Sequence, residues 1–227
     1  MIRLQIVAEG HAEERFCKRM LIPHLAQFEV FANVSMIETS TRHRRPDIHF
    51  KGGFVTYSHL RKDVLRFVRG DSAEDFRVTT FVDFFHIPSD MPGYSTMPSF
   101  GADAQIRHLE TALAADIGDA RFLPYIQKHE FEAFLFVDMA RLVELYPGHE
   151  AKVDRIKRTA NGVPPEDVNG GNDTSPSNRI ISEFREYERN KPKSVDVLEG
   201  IGLNQIRSAC PHFDGWVRQM ESLNAMR

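Results

Sequence analysis

Apolar positions change period several times along the chain, and each change marks an element. Residues 3–8 form a short apolar run, the pattern of a buried strand. From residue 11 to residue 28, Phe16, Met20, Leu21 and Leu25 fall at helical spacing and predict an amphipathic helix. Residues 30–38 predict a second strand, and residues 57–68 return to the helical period through Leu60, Val64, Leu65 and Val68. The stretch FRVTTFVDFF (76–85) is rich in β-branched and aromatic residues and is the strongest strand signal in the protein. HIPSDMPGYSTMPSFG (86–101), full of Pro, Gly and Ser, predicts a loop. Helix follows over 102–117, a fourth strand over 121–127 (RFLPYIQ), and helix again from near residue 129 to 145.

This alternation predicts an α/β fold with a mainly parallel four-stranded sheet flanked by helices. Past Pro147 the strand signal stops. The polar segment NGVPPEDVNGGNDTSPSN (161–178) predicts a long loop, and the tail from residue 177 is helical, with Trp216 and Leu223 expected to dock on the rest. The expected organisation is an α/β domain over residues 1–146 and a helical C-terminal extension over 147–227, packed as one compact unit. There is no internal repeat.

Composition narrows the function classes. The net charge of −3, with ten histidines besides, makes the whole molecule no magnet for nucleic acid, so such binding needs a local basic patch. Cys17 and Cys210 stand far apart and in no metal-like spacing, which favours a reducing compartment. The N-terminus reads as a strand rather than a signal peptide, and no apolar run approaches about 20 residues. The expectation is a cytoplasmic protein with no membrane partner.

In open parallel sheets, ligands sit at the carboxyl ends of the strands. Strand one ends at Glu9, strand three at Asp83, and strand four runs into Lys128, His129, Glu130 and Glu132. Three neighbouring strand ends would bring carboxylates into one crevice. Crowded carboxylates resist joint ionisation, and a hard divalent cation such as Mg²⁺ relieves them. Such an ion can activate water and stabilise a phosphoryl transition state.

With a helix starting at Gly10, where the glycine lets the backbone turn sharply, Glu9 and Glu13 share one face. Glu130 and Glu132 point the same way only if that stretch is extended. Simpler readings stand beside these: Glu13 and Glu14 suit a helix dipole, Asp90 suits a turn, and His129 suits a core. Glu9 and Asp83 are harder to explain so, because an ionised carboxylate beside a buried strand is costly unless paired.

A basic loop carries Arg42, His43, Arg44, Arg45 and Lys51, and Arg61, Lys62, Arg66 and Arg69 extend it along the next helix. It reads either as a solvated charged face or as a grip on a phosphate backbone. Gly52-Gly53 matches no phosphate-binding motif, and there is no Walker-type lysine, HExxH, GxSxG or clustered Cys/His set.

An apolar strand ending in Glu9-Gly10 with a glutamate soon after, followed by an apolar strand ending in Asp83, resembles the Toprim domain of topoisomerases, primases and OLD-type nucleases. More closely, VAEGHAEERF, GGFVTYSHLRKDV, VTTFVDFFHIPSDMPG, RFLPYIQKHEFEAFLF and TSPSNRI…IGLNQIRSACPHFDGW resemble the bacterial family of domain of unknown function 4276. The resemblance spans nearly the whole chain. It implies a Toprim-like sheet, with Glu9 as acid/base or metal ligand and Asp83 as first member of an Asp-x-Asp pair for Mg²⁺. Here the second position is Phe85, so Glu130 or Glu132 would supply the missing ligand.

The expected protein is then a Mg²⁺- or Mn²⁺-dependent nuclease. Glu9, Asp83 and Glu130 would be catalytic, and Glu9, Asp83, Glu130 and Glu132 would hold the metal. Glu13, His129 and Asp90 would support them, while Arg42, Arg44, Arg45, Lys51 and Lys128 would contact DNA or RNA. The resemblance also implies an ABC-type or AAA ATPase companion in defence against phage. Two alternatives remain open: a non-catalytic subunit that binds an ATPase or a nucleic-acid end, and an enzyme for a small phosphoester.

Overall fold

The computed structural model describes residues 1–38, 56–168 and 173–225. Five strands make one parallel sheet: β1 (Ile2–Ala8) lies between β2 (Val30–Met36) and β3 (Phe76–Asp83), and β3 also pairs with β4 (Phe122–Leu123) and β5 (Ile126–Gln127). The predicted fourth strand is therefore two short pieces. Pro124 has no amide to give to the ladder, and the Thr80 hydroxyl fills the gap. It donates to the Tyr125 carbonyl at 2.8 Å and accepts from the Tyr125 amide at 2.9 Å.

Helices cover both faces. α1 (His11–Phe16) passes through a π-helical stretch, Cys17–Leu21, into α2 (Ile22–Ala26). The widened turn stands just before Pro23, whose missing amide it accommodates. α3 (Tyr57–Gly70) and α4 (Ala102–Ile117) pack on the opposite face, where Val7, Val78 and Val82 meet Leu60, Val64, Ile106 and Leu109. Alternate strand residues point the other way, and Leu4, Ile6, Ala8 and Phe81 join a larger core.

That larger core runs without a break into the C-terminal helices: α5 (Glu150–Thr159), α6 (Pro176–Glu183), α7 (Tyr187–Asn190), α8 (Ser194–Ile201), α9 (Leu203–Ala209) and α10 (Pro211–Glu221). Leu198, Phe213, Trp216 and Leu223 are buried in it beside Phe16 and Phe134. The Trp216 indole stacks on Tyr125 with ring centres 4.2 Å apart and donates to Thr79 Oγ1 at 2.9 Å.

The helix expected from near residue 129 is not an α-helix. It is two 3₁₀ stretches, Phe131–Val137 and Met139–Glu144, parted by non-helical Asp138 (φ −143°, ψ 76°). Positions three apart eclipse in a 3₁₀ helix, which drives both Phe131 and Phe134 into the core. Within the polar 161–178 segment, Pro165–Asp167 forms a 3₁₀ turn and α6 has already begun at Pro176. No helix among the described residues is long and apolar enough to cross a membrane.

Candidate active site

Strand order reverses between β1 and β3: the chain leaves β1 for β2 on one side and returns to β3 on the other. Such a switch point leaves a crevice at the carboxyl ends of the two strands. A cleft of about 480 Å³ opens there, and Glu9, Glu13, Asp83, Glu130 and Glu132 all line it.

Backbone groups fix most of these carboxylates. Glu9 continues the sheet, its amide donating to the Phe81 carbonyl at 2.9 Å, and its Oε2 accepts from the Asp83 amide at 2.9 Å. The first carboxylate is thus tied to the backbone of the second. Asp83 Oδ1 accepts from the Phe131 amide at 2.9 Å, which ties the end of β3 to the start of the 3₁₀ stretch. Glu130 is extended (φ −141°, ψ 155°) and reaches the start of α6, accepting from the Ser177 amide at 2.8 Å and the Ser177 hydroxyl at 2.9 Å. Glu132 follows in the first 3₁₀ turn and meets Lys191 Nζ at 2.9 Å. The extended Glu130 is what lets both glutamates face the cleft.

Gly10 has a different role from the one its sequence suggests. Its backbone is extended (φ −150°, ψ −169°), a conformation open to any residue. A Cβ there would lie 3.2 Å from Glu13 Oε2, so the glycine makes room for that carboxylate. Glu14 faces away and pairs with Lys18 at 2.7 Å.

Burial and the charge of neighbouring carboxylates raise the proton affinity of Glu9, Glu13, Asp83 and Glu130. Burial pushes Glu9 up to about 7, against a lowering hydrogen bond from the Asp83 amide and the pull of Lys191, with Glu132 and Glu130 adding to the rise. Glu13 is pushed up to about 8, by burial first and by Glu9 next. Asp83 stands well above the usual carboxylate range for the same two reasons, and Glu130 is raised by burial and by Glu132. Five carboxylates lining one cleft suit a hard cation by their chemistry. Their arrangement is looser: among the described residues, no group of three or more His, Cys, Asp or Glu is set to hold a metal ion.

Other expected residues lie elsewhere. Asp90 accepts from the Tyr57 amide through both oxygens, at 2.9 and 3.1 Å, and so caps α3. His129 is buried against Phe84, outside the cleft lining, and burial lowers its pKa to about 4, with Lys128 adding to the shift. Lys128 is buried between Asp103 at 2.8 Å and Asp167 at 2.6 Å, two partners that already take up its charge. Arg42, His43, Arg44, Arg45 and Lys51 lie outside the described residues. On α3, Arg61 pairs with Asp116 at 2.7 Å and Arg66 with Glu38 at 2.6 Å, while Lys62 and Arg69 line the shallow groove beside them.

Sequence reasoning missed Lys191 and Ser177, which reach the cleft from the C-terminal helices. Ser177 sits in the TSPSN block and carried a helix-start signal. Lys191 carried none, because its partner Glu132 is distant in sequence. Phe85 and His86 also line the cleft, their rings 3.9 Å apart, with His86 in the left-handed region (φ 61°).

A family model described as Domain of unknown function (DUF4276) matches residues 8–221. No curated protein and no solved structure matches the chain.

Proposed function

The chain belongs to the DUF4276 family, and within it we propose that this protein is a metal-dependent enzyme that cleaves phosphodiester bonds in nucleic acid, built on a Toprim-like site. The observation that carries this reading is the convergence of Glu9, Asp83, Glu130 and Glu132, with Glu13 beside them, on one cleft at the strand switch point. Natural sites rarely crowd carboxylates without a cation to hold or a proton to move.

Carboxylates are the donors that Mg²⁺ or Mn²⁺ takes, and Glu9, Asp83, Glu130 and Glu132 are the residues that would hold such an ion. A bound ion of this kind neutralises phosphoryl charge and makes water a better nucleophile. Glu9 does the proton work. Its carboxylate, at the carboxyl end of β1, would accept a proton from the attacking water. The Asp83 amide orients the Glu9 carboxylate for that transfer. Asp83 and Glu130, each fixed by backbone donors, keep their geometry while charge builds beside them. In this reading the enzyme works in the bacterial cytoplasm, on DNA or RNA, beside an ABC-type or AAA ATPase in phage defence.

Cleavage of plasmid DNA and of RNA with Mg²⁺ or Mn²⁺ tests the proposal, using the wild type, Glu9→Gln and Asp83→Asn. Cleavage lost in both variants is the expected result; undiminished cleavage in both sinks the reading.

Two observations favour a second reading, a non-catalytic Toprim-like subunit that senses or binds. Phe85 stands where the resemblance calls for a second aspartate, and among the described residues no three acids are set for an ion. A calorimetric titration that finds no carboxylate-dependent Mn²⁺ affinity would favour it.

A further inference from the structure

Two phenylalanines follow Asp83, and they go to different places. Phe84 packs against the core beneath α3 and α4, which also holds Val82 and Ile126. Phe85 lines the cleft, and among the described residues it joins neither apolar core. Its backbone continues the sheet: the Phe84 amide donates to the Gln127 carbonyl at 2.9 Å and the Phe85 amide to the His129 carbonyl at 2.8 Å. Side chains alternate along such a path, so Phe85 falls on the side of Asp83, two residues earlier, and both reach the cleft.

His86 then takes a left-handed backbone (φ 61°), uncommon for a residue with a Cβ. The Ile87 amide closes the turn on the Phe84 carbonyl at 3.3 Å. The imidazole lies against the Phe85 ring, centres 3.9 Å apart and planes inclined by 35°, and stays exposed at the cleft. Burial does not account for an exposed side chain held at this backbone cost, and strain of this kind collects where ligands bind.

The chemistry of the surface says what it takes. Two flat rings offer faces for stacking in a cleft that carboxylates otherwise dominate. Those carboxylates repel a phosphate, whereas a nucleobase is flat, neutral and stacks on aromatic rings. A cleft of about 480 Å³ has room for one small ligand, so a base enters it only when unpaired from a second strand.

We propose that Phe85 and His86 form a stacking platform for one unpaired nucleobase beside the carboxylates, and that the protein therefore acts on single-stranded nucleic acid or on an unpaired end. This rests on the nucleic-acid reading above and names its substrate class. Phe85, at the position where the resemblance implies a second aspartate, holds a base instead of an ion.

Cleavage of one sequence by the full chain tests this, offered as single strand, as duplex and as a base-free sugar–phosphate strand. The wild type and Phe85→Trp are expected to cleave the single strand at least about tenfold faster than the duplex. Phe85→Ala and His86→Gly are expected to lose about tenfold in kcat/KM on the single strand, mainly through KM, the scale of one lost stacked base. Phe100→Ala removes an exposed ring outside the cleft lining and is expected to lose nothing. On the base-free strand the wild type and Phe85→Ala should be equal. His86→Gly should keep or raise the Tm, since glycine adopts positive φ freely; a lower Tm would assign His86 to the fold. Equal cleavage of duplex and single strand by the wild type, or full single-strand activity in Phe85→Ala, overturns the platform and leaves the nuclease reading standing. Quenching of 2-aminopurine in the single strand reads the stack without cleavage. Quenching by the wild type and not by Phe85→Ala, with no substrate cleaved, keeps the platform and overturns the nuclease reading. Neither quenching nor cleavage overturns both.

Discussion

Two sets of acids in this protein share raised proton affinity and backbone hydrogen-bond donors and differ in their neighbours. Glu110 and Glu166 lie outside the cleft, each serving backbone donors, with His212 Nε2 3.6 Å from Glu110. Glu110 accepts from the Ile126 amide at 2.9 Å, beside β5, and Glu166 accepts from the His212 and Phe213 amides at 2.8 and 2.9 Å, at the start of α10. Burial pushes Glu110 up to about 7, as high as Glu9, yet no neighbouring carboxylate contributes to the rise. In the cleft, after burial, Glu132 and Glu130 add to the rise at Glu9, Glu9 adds to that at Glu13, and Glu9 and Glu13 add to that at Asp83. A raised pKa by itself therefore marks burial, and it is the repulsion among like charges that sets the cleft apart from Glu110.

The largest contrast is expected in activity. Glu9→Gln and Asp83→Asn should lower the cleavage rate by about 100-fold or more, the scale of losing an acid/base group, while Glu110→Gln leaves it unchanged. Equal losses in all three would erase the distinction between the two sets.

Stability should divide them in the opposite sense. Glu166→Ala strands two buried amides at the start of α10 and is expected to destabilise by about 1–3 kcal/mol in urea unfolding. Glu13→Gln is expected to stabilise, and the pH dependence fixes the sign. The Glu13 carboxyl titrates at about 8 in the folded chain against an ordinary 4.5, so between those values the folded state holds more protons than the unfolded one. Stability contributed by that proton is therefore lost as pH rises through the window. The gain from Glu13→Gln should be near zero at the acid end and full by the alkaline end, a Tm rise of roughly 2–8 °C read by calorimetry across pH. A gain that is flat with pH would contradict the burial account of Glu13.

The smallest expected effect concerns Asp90, which the sequence left open between turn and site. Asp90→Ala should cost about 1 kcal/mol through loss of the α3 cap, with cleavage unaffected. A loss of cleavage would return Asp90 to the cleft.

The sheet was legible because its signals are local: the β1 and β3 runs, the helical period of α3 and the 102–117 helix all match the structure. Glu9, Asp83, Glu130 and Glu132 were legible for a related reason, since strand ends are where a parallel sheet presents its polar residues. The failures are all matters of tertiary pairing. Lys128 reads in sequence as a free cation and is neutralised by Asp103 and Asp167. Gly10 reads as a turn and is a gap for Glu13. The HEFEA stretch reads as α-helix, but the core takes its phenylalanines in a 3₁₀ register. Pro124 was the one readable warning that the fourth strand would break.

If the crowded carboxylates bind a divalent ion and Glu110 does not, calorimetric titration of Mn²⁺ into the wild type, Glu9→Gln, Asp83→Asn and Glu110→Gln separates them. Binding is expected in the wild type and Glu110→Gln, with affinity weakened about tenfold or more, some 1.4 kcal/mol, in the two cleft variants. Equal affinity in all four proteins, or none in any, would contradict the metal-dependent reading.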